Sequence, residues 1–165
     1  MANGTSVVAN GVGVTKPEYS GKIHERVYLG GCRWNAPKEF VSWWQCVKEI
    51  TTFRQQTGTL FTKELTTQIS QILMTGKGNV VLYSSLDTPM DVFHGVDCFI
   101  IWWGSGRQES GRIVTMDLTL REEKSYKADV LITPQKLGNF RELVQEVVGH
   151  LTKNPPRIFY NIKVQ

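Results

Sequence analysis

Residues 94–120 read HGVDCFIIWWGSGRQESGRIVTMDLTL, and this stretch decides the fold of the chain. Its two ends are rich in the β-branched and aromatic residues that strands favour, and the central GSGRQESG is typical of a turn. The sequence therefore predicts a β-hairpin. A register that places Asp97 opposite Asp117 also pairs 99 with 115, 101 with 113 and 103 with 111. Opposed side chains on one face have Cβ atoms about 4.5–5.5 Å apart.

The two aspartates of this hairpin indicate a metal site. Two carboxylates that close repel each other unless a positive charge lies between them, and oxygen ligands suit Mg²⁺ and Mn²⁺. An aspartate at the start of a strand, such as Asp97, is as often a turn or capping residue as a ligand. Asp117 is harder to explain in that way, because aspartate is depleted in strand interiors. Strand alternation places it on a polar face with Thr115 and Thr119.

Composition sets the outer limits. The chain has 165 residues, 41% of them hydrophobic, and a formal net charge of +4. This length suits one domain with a real core, and no apolar run is long enough to span a bilayer. We expect a flexible N-terminal arm over 1–21, which does not resemble a signal peptide, and a single domain over 22–165. The basic balance permits an anionic partner such as nucleic acid.

Other common chemistries find little support in the sequence. The three cysteines lack the spacing of a zinc site or a disulfide framework, which favours a reducing, intracellular and cytoplasmic location. Neither a nucleophile elbow nor a glycine-rich phosphate loop is present, so triad hydrolases and P-loop triphosphatases are disfavoured. His94 is a lone loop histidine, which is more often polar surface than a metal ligand.

Hydrophobic periodicity predicts the remaining elements and their order. These are a helix over about 37–56, a second helix capped by Thr62, a buried strand over about 79–85, the hairpin, a short strand within ADVLI (128–132), a helix that begins at Asn139, and a final strand over about 157–164. An α/β fold with a mixed sheet flanked by helices follows. The last strand, helix and strand predict a parallel crossover.

The turn after the hairpin carries two lysines. If this turn is tight, Lys127 falls opposite Asp117 or Thr119 on the polar face, and Lys124 lies at the turn tip. A lysine in a turn is otherwise most often a solvated charge.

Three features of the sequence now carry a resemblance to a known family. They are GVD at 95–97, Asp-x-Thr at 117–119, and a lysine shortly afterwards. With the order of elements over about 62–164, they resemble a variant of the restriction-endonuclease-like PD-(D/E)XK nuclease superfamily. The layout is most similar to archaeal Holliday-junction resolvases, in which a basic turn, a short strand, a long helix and a closing strand follow the acidic strand.

The resemblance implies an Mg²⁺- or Mn²⁺-dependent endonuclease that hydrolyses phosphodiester bonds in DNA, with branched or structured DNA as a candidate substrate. It implies that Asp97 and Asp117 hold the cation and that Glu64 completes its shell, although Glu49, Asp87 and Asp91 compete for that place. It also implies a homodimer, and no membrane partner is expected. The basic residues expected to contact phosphates are Arg121, Lys124, Lys127 and Lys136.

Two positions depart from the pattern of the superfamily. Val96 stands where a proline usually precedes the first aspartate, and Thr119 stands where the motif has its lysine. Lys127 is the best substitute for that lysine, and Lys124 is the second. The alternative to a nuclease is a catalytically inactive module on the same fold that binds nucleic acid or a protein. An assembly protein in which the acids are structural is a third hypothesis.

Overall fold

The computed structural model describes residues 17–53, 58–76, 79–103, 110–121, 127–153 and 155–160. Within these ranges the helices are α1 (Pro17–Leu29), α2 (Trp43–Thr52), α3 (Leu60–Ile72), α4 (Pro89–His94), α5 (Pro134–Gly138) and α6 (Phe140–Thr152). The strands are β1 (Val80–Ser84), β2 (Cys98–Trp103), β3 (Ser110–Leu118), β4 (Val130–Ile132) and β5 (Ile158–Tyr160). The chain is thus a mixed α/β protein, as predicted.

The five strands form one mixed sheet in which β3 is central. β1, β2 and β3 form an antiparallel meander, and the β2–β3 register pairs 99 with 115, 101 with 113 and 103 with 111. The predicted hairpin and its register are therefore confirmed. The other edge of β3 is shared by two short strands, because β4 pairs with its C-terminal end and β5 with its N-terminal end.

Helices cover both faces of the sheet. One apolar cluster joins alternate residues of β1 to β4 to side chains of α1, α3 and α6. The predicted stripe of α6 supplies five buried residues to it, namely Leu143, Val144, Val147, Val148 and Leu151. The second cluster joins the other face to α2 and α4, and the fully buried ring of Phe99 lies in it. A sheet covered on both faces leaves its ends as the places where polar side chains can gather.

Two short helices, α4 and α5, are absent from the predicted order of elements. Both begin with the same helix-start signal. Thr88 precedes Pro89 in α4 and Thr133 precedes Pro134 in α5, and each threonine hydroxyl accepts a backbone N–H hydrogen bond from the first turn. Threonine at the N-cap and proline at the first helical position are a known pair of helix-start preferences. α4 ends at Gly95, whose φ of 64° lies in the left-handed region that glycine adopts without strain.

The predicted starts of the first two helices need correction. α2 begins at Trp43, and Phe40, the first residue of the predicted apolar stripe, instead contacts the ring of Phe93 on α4. The N-cap of α3 is Thr59, whose hydroxyl accepts a hydrogen bond from the backbone N–H of Thr62. The predicted capping residue is therefore three positions inside the described helix.

The segment predicted as an N-terminal arm ends in a helix. Residues 17–21 are part of α1, whose Leu29 is fully buried in the core, and residues 1–16 lie outside the described ranges. α1 therefore packs on the body of the domain and brings its own side chains to the sheet.

The two predicted pairings beyond the hairpin are wrong. β4 runs parallel to β3, with Leu131 level with Asp117, and β5 is antiparallel to β3 and does not complete a crossover beside β4. Val130 and Ile132 join the same apolar cluster as Met116 and Leu118. Alternation places these residues on one face in either strand direction, so it could not distinguish a parallel from an antiparallel neighbour.

Two further findings concern the expected location. None of the described helices has the length and apolar character needed to cross a bilayer. Cys32, Cys46 and Cys98 are free thiols, and the last two are buried.

Candidate metal centre

The two hairpin aspartates meet where three strands end or begin. The backbone N–H of Ser85, just after β1, donates to the carbonyl of Asp97 at 2.9 Å, and the N–H of Asp97 donates to the carbonyl of Met116 at 3.0 Å. The register of β2 and β3 ends at the pair of Cys98 with Met116, so Asp97 directly precedes this pair on one strand and Asp117 directly follows it on the other. We call this end of the sheet, with Asp97 and Asp117 at its centre, the acidic edge.

Both carboxylates of the acidic edge are buried. Asp97 is 5% exposed and Asp117 is 3% exposed. The Oδ2 atom of Asp97 accepts a hydrogen bond from the backbone N–H of Leu118 at 2.8 Å, which fixes this carboxylate against the strand that carries Asp117. The opposed acids therefore lie inside the protein, where charge is costly unless it is compensated.

The electrostatics show how poorly a second negative charge is tolerated here. Burial raises the pKa of Asp97 to about 8, and the negative charges of Asp117, Glu25 and Asp91 also raise it, while the hydrogen bond from Leu118 opposes the rise. A carboxyl of this kind either keeps its proton at neutral pH or requires a cation beside it. The arrangement thus requires either a retained proton or a cation at this pair.

Two helical carboxylates extend the acidic edge. Glu25 from α1 and Asp91 from α4 act on the charge of Asp97. Burial raises the pKa of Asp91, and the charges of Asp87 and Asp117 add to this, while the N–H of Asp87 and the Lys22 ammonium oppose it. Asp91 was one of the competing acids in the sequence, but Glu25 was not considered.

The predicted helical ligand, Glu64, is placed differently. It is exposed on α3, where its carboxylate accepts a hydrogen bond from Gln68 at 2.6 Å. Glu49 on α2 accepts a similar bond from Gln45. Neither is among the charges that act on Asp97, so Glu25 and Asp91 are the helical acids that the structure brings to the pair.

The predicted lysines are not beside the aspartates in the described structure. Leu131, and not Lys127, is level with Asp117, because β4 is parallel to β3. Lys127 is exposed and precedes Asp129, whose N–H bonds the carbonyl of Thr115, so it lies toward the start of β3. Lys124 lies outside the described residues.

The other two basic residues expected to contact phosphates differ in their surroundings. Lys136, on α5, forms an ion pair with Glu146 on α6, and both side chains are largely buried. Arg121 is exposed just beyond β3 and lines a cleft next to the acidic edge. The structure therefore favours Arg121 as a contact for a ligand at this site.

The cleft beside the acidic edge has a volume of about 540 Å³. α1 contributes Gly21, Lys22, Glu25 and Arg26, the segment from the end of β1 into α4 contributes Leu86, Asp87, Asp91 and Val92, and the end of β3 contributes 118–121. Asp97 and Asp117 are not on its wall. They lie next to it, since Leu118 lines the cleft. Leu118 follows Asp117 in the chain, and its N–H donates to the carboxylate of Asp97.

The carboxylate set suits a hard divalent cation. Mg²⁺ is typically bound by one or two carboxylates together with water and substrate phosphate, which fits an opposed aspartate pair next to an open cleft. In the described part of the chain, no group of three or more His, Cys, Asp or Glu side chains is arranged to hold a metal ion.

Comparison of the chain with protein-family models, with curated proteins and with solved structures gave no significant match. The function of the acidic edge therefore rests on its own geometry and chemistry.

Proposed function

We propose that this chain is an Mg²⁺- or Mn²⁺-dependent endonuclease that hydrolyses phosphodiester bonds in DNA. The observation that carries the proposal is the opposed and buried pair of Asp97 and Asp117. Burying two like charges opposes folding unless a cation or a shared proton compensates them, and an open cleft adjoins this pair. The order of elements further supports a restriction-endonuclease-like core within the mixed sheet.

Each group of the site has a role in this proposal. Asp97 and Asp117 hold the cation, and the hydrogen bond from Leu118 keeps the Asp97 carboxylate directed at its partner strand. When bound, the divalent cation supplies positive charge that activates water and offsets the charge of the transition state. Glu25 and Asp91 add negative charge that favours a cation over a second proton at the pair.

Other residues must supply the positive charge that the superfamily takes from its motif lysine. Thr119 occupies that position, and its hydroxyl accepts a hydrogen bond from the N–H of Arg121. The described cations on the cleft wall are Lys22, Arg26 and Arg121. We assign to them the binding of the substrate phosphate, with Lys124 as the remaining candidate from the turn.

Cleavage of plasmid DNA and of a synthetic four-way junction tests this function. We expect cleavage with Mg²⁺ or Mn²⁺, its loss with chelator, and its loss in Asp117→Asn while DNA binding survives. Glu64→Gln and Glu25→Gln form a matched pair of helical variants, because each removes one negative charge. We expect only Glu25→Gln to weaken the metal dependence. Unchanged cleavage in both Asp97→Asn and Asp117→Asn would reject the site.

A second function is favoured by one observation. Thr119 stands at the position of the motif lysine, and Leu131 is level with Asp117 where the substitute Lys127 was predicted. An inactive module that binds nucleic acid would have this feature. It predicts salt-dependent DNA binding without cleavage under any divalent cation, and unchanged binding in Asp117→Asn.

The resemblance also leads us to propose a homodimer, because two scissile strands in a junction or duplex require two sites. Sedimentation velocity tests this proposal. A monomer at micromolar concentration, with or without junction DNA, would reject it.

A further inference from the structure

The cleft next to the acidic edge is the route by which any substrate would reach the two aspartates. Asp97 and Asp117 are 5% and 3% exposed, and Leu118, which bonds to Asp97, forms part of the cleft wall. A phosphate must therefore enter the cleft before it can share a cation with the pair. The shape of the cleft then limits which form of nucleic acid can be a substrate.

The size of the cleft is that of a site for a small ligand. Its volume of about 540 Å³ falls in the range of about 300–1,000 Å³ that is typical for pockets that enclose small molecules. A space of this size does not enclose both strands of a base-paired duplex with their stacked bases. One unpaired strand can place a phosphate and its nucleotide inside.

Charge is arranged by depth in the cleft. The exposed residues of the cleft, which we call its mouth, include the cations Lys22, Arg26 and Arg121 and the acid Asp87. Glu25 and Asp91 are partly buried, and both act on the charge of Asp97. Cations at the mouth suit a phosphate backbone, and acids at the floor suit a divalent cation.

An ion pair closes part of this mouth. The guanidinium of Arg26 contacts the carboxylate of Asp87 at 2.7 Å, and both side chains are more than half exposed. An exposed pair of this kind contributes little to stability, so a phosphate can compete for Arg26 at small cost.

Apolar side chains complete the wall between the cations and the acids. Val92 is 67% exposed and Leu120 is 43% exposed, and both line the cleft. Their exposed surface offers contact to an unstacked base or its sugar, which a base within a duplex does not present. Proteins that bind single strands combine such contacts with a basic groove.

From these four observations we propose that the cleft binds one unpaired strand of DNA, so that the substrates are single-stranded ends, flaps or loops and not intact duplex. The inference rests on the proposed nuclease function for its chemistry. The preference for single-stranded over duplex DNA comes from the cleft and can be measured by binding alone.

Fluorescence anisotropy with a labelled oligonucleotide tests the inference, in Ca²⁺ so that binding is separated from hydrolysis. We expect the single strand to bind at least about tenfold more tightly than the same strand annealed to its complement. If Lys22, Arg26 and Arg121 each contact a phosphate, a plot of the logarithm of the association constant against the logarithm of the salt concentration should have a slope of about −2. Equal or tighter binding of the blunt duplex would overturn the inference.

Two variants show whether binding occurs in this cleft. The double variant Lys22→Ala/Arg26→Ala should weaken single-strand binding about tenfold, whereas Arg141→Ala, an exposed arginine on α6, should not change it. Val92→Trp fills the cleft from an exposed position, so the fold should survive while binding falls by a similar factor. Unchanged binding in Val92→Trp, with folding verified by circular dichroism, would place the strand elsewhere and overturn the inference.

Cleavage assays in Mn²⁺ separate this inference from the proposed function. Asp117-dependent cleavage of blunt duplex as fast as of single strands rejects the inference and leaves the nuclease. The opposite outcome is preferential single-strand binding that Val92→Trp abolishes, with no cleavage of any substrate. This result supports single-strand binding in the cleft and rejects the nuclease function.

Discussion

Aspartates lie along both edges of β3, and their surroundings are opposite in kind. On the edge toward β4, the Oδ2 atom of Asp129 accepts hydrogen bonds from the N–H and the hydroxyl of Thr115, both at 2.8 Å, and from Arg157 at 2.9 Å. On the edge toward β2, Asp97 faces Asp117, and burial and negative charge raise its pKa to about 8. One aspartate is compensated by its neighbours, and the other is held against a like charge.

This difference separates a structural carboxylate from a candidate functional one. Asp129 fills the gap between β4 and β5, where no backbone carbonyl reaches the N–H of Thr115, and so it completes the hydrogen bonding of β3. Asp97 receives one backbone hydrogen bond but is surrounded by the negative charges of Asp117, Glu25 and Asp91. A carboxyl with such a strongly raised pKa next to a cleft is a candidate for a functional role. Substitutions on the two edges should therefore change different properties.

The largest expected effect is on cleavage. Asp117→Asn removes a metal ligand and should lower the rate by more than about 100-fold, since even outer-shell partners of metal ligands typically contribute 10–100-fold. Asp129→Asn keeps an oxygen toward Thr115 and should leave the rate within about threefold, because the Asp129 carboxylate is bound to Thr115 and Arg157. Rates on a single-stranded oligonucleotide and on a synthetic four-way junction with Mn²⁺ measure both. Equal losses in the two variants would abolish the contrast between the edges.

The next effect is on the pH dependence of stability. The folded pKa of Asp97 is raised above its unfolded value, so the folded state binds more protons and its stability falls as pH rises from about 4 to about 8. The fall should reach a few kcal/mol, because a tenfold change in proton affinity corresponds to about 1.4 kcal/mol. Urea unfolding at several pH values measures it.

The control for this pH effect is Asp97→Asn, which cannot titrate and should flatten the curve between pH 4 and 8. Mn²⁺ should restore stability mainly at the upper end of the range in the wild type, where the carboxylate is ionised, and should do little for the variant. A wild-type stability that rises with pH over this range would show that Asp97 is ionised in the folded protein without a metal.

A smaller effect is expected at the edge of β3 toward β4, where Thr115 and Arg157 compensate Asp129. Asp129→Ala leaves the buried N–H of Thr115 without its acceptor and should lower the free energy of unfolding by about 2 kcal/mol. The measurement is chemical unfolding at pH 7, with the cleavage rate per folded molecule as the accompanying test. A stable variant with impaired cleavage would show that Asp129 has a functional role as well.

The smallest effect on stability is expected from Arg157, the cation that pairs with Asp129. Arg157 is about half exposed, with a side-chain exposure of 47%, so Arg157→Ala should cost only about 0.5–1 kcal/mol. Part of this loss comes from the contact of its guanidinium with the ring of Trp43, at 5.8 Å. Arg157→Lys keeps the charge, and its comparison with Arg157→Ala in thermal unfolding separates the two contributions.

The sequence predicted the parts of the site that depend on local pairing. The β2–β3 register follows from the pattern of two strands that are close in sequence, and it brings Asp97 and Asp117 to the same end of the sheet. The stripe of α6 was predicted for the same reason, because helical spacing is a property of neighbouring residues. The direction of β4 depends on the path of the chain between the strands, and alternation is identical in both directions.

The helical acids of the site show what could have been found and what could not. Asp91 lies on α4, whose Thr88–Pro89 start and Gly95 end are ordinary helix signals that could have identified it. Glu25 comes to the acidic edge only because α1 packs on the domain, a long-range arrangement that no local pattern specifies. Lys127 was misplaced for the same reason, since its predicted neighbour followed from an antiparallel β4.

Manganese anomalous scattering from a crystal soaked at pH 8 tests the central claim most directly. The account predicts one strong peak between the carboxylates of Asp97 and Asp117, with metal to oxygen distances near 2.0–2.6 Å, as for hard divalent cations. It also predicts no peak at Asp129. Aspartates in direct hydrogen-bond contact with each other, with no peak between them, would show that a shared proton and not a cation compensates the pair.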